Sequence, residues 1–350
     1  MRRFVLRSIS LLFLTLIFCE VGLRASAHFK GPQFKKCGLD AIGEGFYRSA
    51  EGIQWKLKPN QDFRLQRDEY EFNFRYTTDE YGRRVLPSAL IGGKKILLIG
   101  DSILMGQGMD NNKTLTDRIA RILAGSGMSP VNMGVPSYGP AEEVKAAIEE
   151  IENPVDGIPV DGVAFFFNLG SDFHDWDNAY WEGKEESYLP ITVPVKNRYN
   201  FVDENGDMKN VEHPLLQNSK AVPFLYHRTL MKAQHMIHKI WLKINPGSGG
   251  SIAQYFNNFE LYAKKRNISS LMVILPSTYR RLDRIEGINM VKLDLSSFTS
   301  EKHQPPEGEI VYDKHMFLKD RVHFNEYASQ LMADRIAPFL IEQLGDTFAL

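Results

Sequence analysis

Cysteine is nearly missing from this chain. Cys19 and Cys37 are the only two in 350 residues, too few for a disulfide framework or a cysteine-rich metal cluster to organise the fold. Charge of one sign is missing as well: the formal net charge is −1, and no block of Lys and Arg stands out beyond the N-terminus. That balance argues against a dedicated nucleic-acid binder. There is no internal repeat, and Pro246-Gly-Ser-Gly-Gly-Ser251 is the only stretch resembling a flexible linker. Neither G-x-G-x-x-G nor a phosphate-binding loop occurs, so nucleotide binding has no motif. G-x-S-x-G is also absent, which removes the nucleophile elbow of ordinary α/β-hydrolases.

What is present is a core. Hydrophobic residues make up 43% and charged residues 24%, ordinary values for a globular protein. The length suits one large α/β domain or two small ones. At the N-terminus, Arg2, Arg3 and Arg7 precede the apolar run Ile9–Cys19, which Glu20 interrupts, and Ala25-Ser26-Ala27 offers a small-residue cleavage site. This is the grammar of a secretory signal over residues 1–27, with an uncleaved membrane anchor as the alternative. Removing the segment would leave Cys37 alone, so an exported product would rely on its core and not on an intramolecular disulfide.

Residues 28–93 read as an aromatic-rich N-terminal extension. Tyr70–Thr78 alternates apolar and polar side chains like a half-buried strand, and Asp79-Glu-Tyr-Gly82 reads as a turn. From residue 94 to 350 the pattern changes to strand, turn and helix in repetition. The apolar periods predict strands at Ile96–Ile99, Pro130–Met133, Val163–Leu169 and Leu271–Leu275, with a weaker one at Ile310–Tyr312. They predict helices over Thr114–Leu123, Pro140–Ile151, Tyr255–Arg266 and Asn325–Leu344, the last kinked at Pro338. Residues 173–250 break the rhythm and carry one plausible long helix, Leu225–Lys243, whose apolar face fits a lid or, as the alternative, a membrane or lipid contact. Strands alternating with helices imply a mostly parallel sheet covered on both faces. In such a sheet the ligand sits beyond the carboxyl ends of the strands. Gly100-Asp-Ser102, the turn after Met133, Gly170-Ser-Asp172 and the segment before the last helix then share one rim.

That rim holds groups suited to acyl transfer. A serine hydroxyl is a poor nucleophile unless a base takes its proton, and the base needs an orienting partner. Ser102 follows a buried strand directly, where backbone N–H groups and a helix N-terminus would favour a developing oxyanion. Asp320-Arg-Val-His323 precedes the last helix, and carboxylate and imidazole three residues apart on a turn can both face inward. Taken singly, Ser102 reads equally as a helix N-cap and His323 as a structural histidine; together, in this order, they point to a nucleophile, a base and its orienter.

The order of motifs resembles the GDSL/SGNH hydrolase family, whose fold is a flavodoxin-like three-layer α/β/α sandwich. Gly100-Asp101-Ser102 is similar to its first block and Asp320-Arg-Val-His323 to its fifth. Asn132-Met-Gly134-Val-Pro-Ser-Tyr-Gly139 resembles its second block, which implies a backbone N–H from Gly134 to the oxyanion. The lead-in segments Trp55–Asn60 and Thr78–Arg83 resemble those of bacterial, membrane-associated members. The third block departs: Asn168-Leu-Gly170-Ser171-Asp172 has Ser171 where the family carries a donating asparagine. Ser171 through its hydroxyl, or Asn168, would then complete an oxyanion hole with Ser102 and Gly134. The resemblance implies an exported serine esterase that hydrolyses or transfers O-acyl groups, O-acetyl above all. Its residence would be the cell envelope, periplasmic or anchored to the inner membrane. An acylated carbohydrate or other small ester would be its substrate, with no cofactor, no metal and no nucleic acid, and with the membrane as partner if the leader stays. A lipid esterase is a further variant. The rival from another class is a catalytically weak carbohydrate-binding or scaffold protein on the same fold.

Other residues weigh less. His235 and His238, three apart on the expected lid helix, have no evident carboxylate or cysteine partner and read as a helix face in preference to a metal site. His174-Asp175 would line a pocket or cap a turn. Asn112-Lys-Thr114 and Asn267-Ile-Ser269 are formal glycosylation sequons with meaning only in a eukaryotic secretory pathway.

Overall fold

A computed structural model describes residues 47–49, 55–67, 72–136, 138–168, 198–202, 208–212, 252–276, 286–302 and 313–345. The leader expected over residues 1–27, the helix expected over Leu225–Lys243, His174, Asp175, His235, His238 and the weak strand expected at Ile310–Tyr312 lie outside these residues. The chain divides into two compact units, one of Gly45–Lys184 with Gly249–Leu350 and the other of Met1–Glu44 with Glu185–Ser248.

The larger unit begins with two antiparallel pairs, β1 (Tyr47–Ser49) with β2 (Trp55–Leu57) and β3 (Asp62–Arg67) with β4 (Phe72–Thr77). The alternation in β4 buries Phe72, Phe74 and Tyr76 and exposes the residues between, which is the period-two pattern of the sequence made physical. Asp79 then closes a tight turn, its Oδ1 accepting from the Tyr81 and Arg83 N–H groups at 2.9 and 2.8 Å.

The main sheet follows. Its strands are β5 (Lys94–Gly100), β6 (Met128–Gly134), β7 (Gly162–Asn168), β10 (Ser269–Leu275) and β11 (Val291–Asp294), and every neighbouring pair is parallel. Along the chain between β7 and β10 come β8 (Arg198–Val202) and β9 (Met208–Glu212) of the smaller unit, a separate antiparallel pair. Across the sheet the order is β6-β5-β7-β10-β11. Counted along the chain this is 2-1-3-4-5, the flavodoxin-like order, so the expected fold class is the one observed.

Among the described residues, five α-helices complete the layers: α1 (Ser102–Met105), α2 (Leu115–Leu123), α3 (Pro140–Glu152), α4 (Ile252–Lys264) and α5 (Glu326–Gly345). The pleat divides the core in two. Ile96, Leu98, Ala164 and Phe166 pack with Leu115 and Ile119 of α2 and with Met332, Ile336 and Leu340 of α5. Leu97, Ile99, Phe165 and Phe167 point the other way, towards Val144 and Ala147 of α3 and Phe256 and Phe259 of α4. Phe165 meets Phe256 and Phe259 edge to face, with ring centroids 5.1 and 4.9 Å apart, the geometry aromatic quadrupoles favour. These strands are apolar without interruption because both faces are covered.

The edge strand β11, Val291–Asp294, has no counterpart among the strands expected from the sequence. Its residues Val-Lys-Leu-Asp are mostly exposed on an outer edge, so no apolar run marks it. Helix α5 stays helical through Pro338. At the amino ends of the strands, Lys95 is buried with its Nζ donating to Glu150 Oε1 at 2.7 Å, Asp156 Oδ1 at 2.6 Å and the Ile158 carbonyl at 3.1 Å. This cluster ties β5 to the end of α3 on the rim opposite Ser102.

Candidate active site

The question raised by Gly-Asp-Ser is answered by its neighbour. Asp101, not Ser102, caps α1: its side chain accepts from the Ile103 N–H at 2.8 Å. Ser102 is the first helical residue, and its hydroxyl is left for another partner. Helix α1 lasts one turn and ends at Gly106, whose φ of +82° is the left-handed conformation that glycine adopts without a Cβ penalty. Gly134, at the end of β6, meets a second constraint: a Cβ there would lie 2.4 Å from the Met105 nitrogen. The absence of a side chain lets the second strand pass against the nucleophile helix.

The histidine arrives on a turn between Leu318 and Phe324. The Leu318 N–H donates to the His323 carbonyl at 2.8 Å, the Arg321 N–H to the Leu318 carbonyl at 2.9 Å, and Arg321 takes the left-handed φ of +62°. Asn325 then starts α5, its Oδ1 accepting from the Ala328 N–H at 2.9 Å. Asp320 Oδ1 accepts from the backbone N–H groups of Val322 and His323 at 3.0 and 3.1 Å. Its Oδ2 is thereby turned to His323 Nδ1, with which it makes a short hydrogen bond. Burial pushes the Asp320 carboxyl up, but the hydrogen bond from His323 and its electrostatic attraction, with the two backbone donors, outweigh it and hold the group below its ordinary value of 3.8. An ionised carboxylate only accepts, so Nδ1 carries the proton and Nε2 is an acceptor. The Ser102 hydroxyl donates to that Nε2 at 2.8 Å. Phe72 of β4 stands edge-on to the imidazole, ring centroids 5.8 Å apart, and His323 is only 8% exposed.

Ser102, His323 and Asp320 are thus brought together in one hydrogen-bonded chain. Gly134 reaches the same rim, but its N–H donates to Asn132 Oδ1 at 2.8 Å. Asn132 is itself fixed, its Nδ2 donating to Thr116 Oγ1 at 2.8 Å. Asn168 is buried at the carboxyl end of β7, and the pleat turns it to the side of α2 and α5. Ser171 lies outside the described residues. An open cleft adjoins Gly134, lined by Met133, Val135 and Tyr138 and by Arg48, Lys56 and Tyr81 of the N-terminal strands and turn; neither Ser102 nor His323 lines it.

Three residues near the site had no assigned role in the sequence reading: Asn132, which engages Gly134, Phe72, which backs the histidine, and Arg84, which holds the end of α1. Asn132 sits in a quoted motif, yet spacing gives no hint that its side chain turns back on Gly134. Phe72 and Arg84 come from the extension, and only tertiary structure carries them to the rim.

The fold and these side chains define a parallel α/β sandwich with a serine–histidine–aspartate chain on its carboxyl rim. No family model matches the sequence, and no curated protein does. Similar solved structures are esterases and acylhydrolases. The psychrotrophic esterase EstA from a Pseudoalteromonas species is 10% identical, with 72% of this chain and 100% of that one covered at a TM-score of 0.38. A lipase/acylhydrolase from Enterococcus faecalis is 14% identical, with 71% and 95% covered at 0.35. Axe2, an acetylxylan esterase from Geobacillus stearothermophilus, is 13% identical, with 73% and 96% covered at 0.34.

Proposed function

We propose that the protein is a serine ester hydrolase in which Ser102 is the nucleophile, His323 the general base and Asp320 its orienter. One observation carries the reading: the 2.8 Å contact from Ser102 Oγ to His323 Nε2, with Asp320 bonded behind it. As Oγ attacks the ester carbonyl, its proton passes to Nε2, and the ionised Asp320 stabilises the imidazolium. The carbonyl oxygen becomes an oxyanion. The Ser102 N–H, at a helix start with no intrahelical acceptor, is the first donor to it. Gly134 contributes by sharing its N–H with Asn132 Oδ1, and Asn168 or Ser171 is the third donor. His323 then protonates the leaving alcohol, whose bond to the carbonyl carbon breaks, and an acyl-enzyme remains on Ser102. Water, deprotonated by the same imidazole, releases the acid. An acceptor hydroxyl in place of water would make the reaction an acyl transfer.

The favoured substrate is a short O-acyl ester, O-acetyl on a carbohydrate first. The favoured setting is the cell envelope, reached through residues 1–27. Both rest on the leader's pattern and on the family resemblance of the motifs. The binding-protein alternative draws on the engaged Gly134 N–H and on Ser171. A fluorophosphonate probe separates them. Wild-type protein labelled at Ser102, with no labelling of a folded Ser102→Ala variant, is the expected result. A well-folded wild type that takes no label would overturn the enzyme and leave the binding protein. Rates on p-nitrophenyl acetate against longer acyl esters then report chain-length preference.

A further inference from the structure

We propose that Arg84 is a positioning residue for the nucleophile: its guanidinium clamps the carboxyl end of α1 and so fixes where Ser102 stands relative to His323. The inference rests on the esterase reading and adds to it a residue outside the three-residue chain. Arg84 is 2% exposed. Its Nη1 donates to the carbonyls of Met105 at 2.8 Å and Gly106 at 2.7 Å, its Nη2 to the carbonyl of Met109, and its Nε to Asn111 Oδ1 at 3.1 Å. The plane lies over Tyr76, 4.8 Å from the ring centroid, and 5.8 Å from that of Phe74. Among the described residues it forms no ion pair with a carboxylate. Burial pushes its guanidinium down to about 10, which still leaves it charged at neutral pH.

A buried cation without a paired carboxylate is a costly way to fill space, and an apolar side chain of the same volume is usually the more stabilising choice. What the guanidinium supplies instead is a rigid planar fork of donors, which no other side chain offers. The acceptors it takes are the Met105 carbonyl in the last turn of α1 and the Gly106 and Met109 carbonyls of the loop that follows, the Gly106 carbonyl also accepting from the Met109 N–H at 3.2 Å. The link to Ser102 is short. The Ser102 carbonyl accepts from the Gly106 and Gln107 N–H groups at 3.1 and 3.0 Å, and Gly106 is held through its own carbonyl by Arg84. The clamp therefore sits one hydrogen bond away from the nucleophile's backbone.

The test uses the full-length protein with Arg84→Lys and Arg84→Gln, read by steady-state kinetics on p-nitrophenyl acetate and by amide hydrogen exchange. Misplacement of a reacting group by about 1 Å costs on the order of 10²-fold. Arg84→Gln is expected to lose about that much kcat with KM within about threefold of wild type, and Arg84→Lys, which keeps one charged donor, to recover part of the loss. Independently of turnover, the amides of Gly106 and Gln107 should exchange about tenfold faster in Arg84→Gln, while those of β10 stay protected. A folded Arg84→Gln with kcat near wild type, or with exchange unchanged at Gly106 and Gln107, overturns the proposal. Protection lost equally across the sheet also overturns it, because Arg84 would then be a stability residue only. If the wild type hydrolyses no ester, the esterase reading fails, and the exchange result alone still decides whether Arg84 holds α1.

Discussion

Asp320 carries a charge that its burial opposes, and its partners win. The first effect on its carboxyl is burial, which raises its pKa; the His323 hydrogen bond and electrostatic attraction and the Val322 and His323 N–H groups lower it further than burial raises it. A carboxyl held below its unfolded value adds stability that is complete above about pH 4–5 and is lost as pH falls through the folded value. Asp320→Asn removes that titration. Urea denaturation of wild type and variant should show wild type the more stable at neutral pH, with the gap narrowing as pH falls below about 5; a constant gap would refute the assignment. The same variant lets the imidazole settle in the wrong tautomer, so kcat on a short ester should fall by about 10³–10⁴-fold. Retention of most activity would mean that His323 needs no orienter. At this scale the sequence was most informative where chemistry is local. Asp320 and His323 lie three residues apart on one turn, and Ser102 follows its strand directly. Asn132 was less legible, because turning onto Gly134 is a matter of side-chain direction, which a motif does not encode.

The helices and strands were legible where burial is two-sided or periodic. Strands β5, β7 and β10 announce themselves as apolar runs because helices cover both faces, whereas β11 lies on an edge and spends half its residues on Lys and Asp. Lys95 shows the limit in another way: a lysine opening an apolar strand reads as a solvated end, yet it is 2% exposed. It becomes intelligible only with Glu150 of α3 and Asp156 beside it. Burial raises the Asp156 carboxyl's pKa, but Lys95 and Arg83 together hold it well below its ordinary value. Removing one partner of a buried ion pair typically costs about 3–5 kcal/mol, and replacing both with apolar groups costs far less. Lys95→Met should therefore lower unfolding stability by about that amount in urea, with part of it returned by adding Glu150→Leu. The folded fraction of either variant should still label at Ser102, since the cluster occupies the opposite rim. A Lys95→Met protein as stable as wild type would show that the cluster contributes nothing.

For the whole molecule, the distance that matters is along the chain: 221 residues separate Ser102 from His323. The sequence could order these motifs, and the strand–helix alternation placed both on one rim through the parallel-sheet rule. It could not show that β4 and Arg84 belong to the same compact unit, because no spacing links residues 72–84 to a motif at 102 or 323. This topology has a kinetic consequence. Ser102 is positioned by β5, β6 and α1, but His323 arrives only when α5 docks on α2 and the two flanking strands beyond β7 are in place. Contacts so far apart in sequence close late, after the entropy of long loops has been overcome. On refolding from urea, reactivity of Ser102 towards a fluorophosphonate should therefore appear with the last phase in near-ultraviolet circular dichroism, and not with the earlier gain of helix. Labelling that develops while tertiary signals are still absent would show that Ser102 is activated without His323, and the three-residue assignment would fall with it.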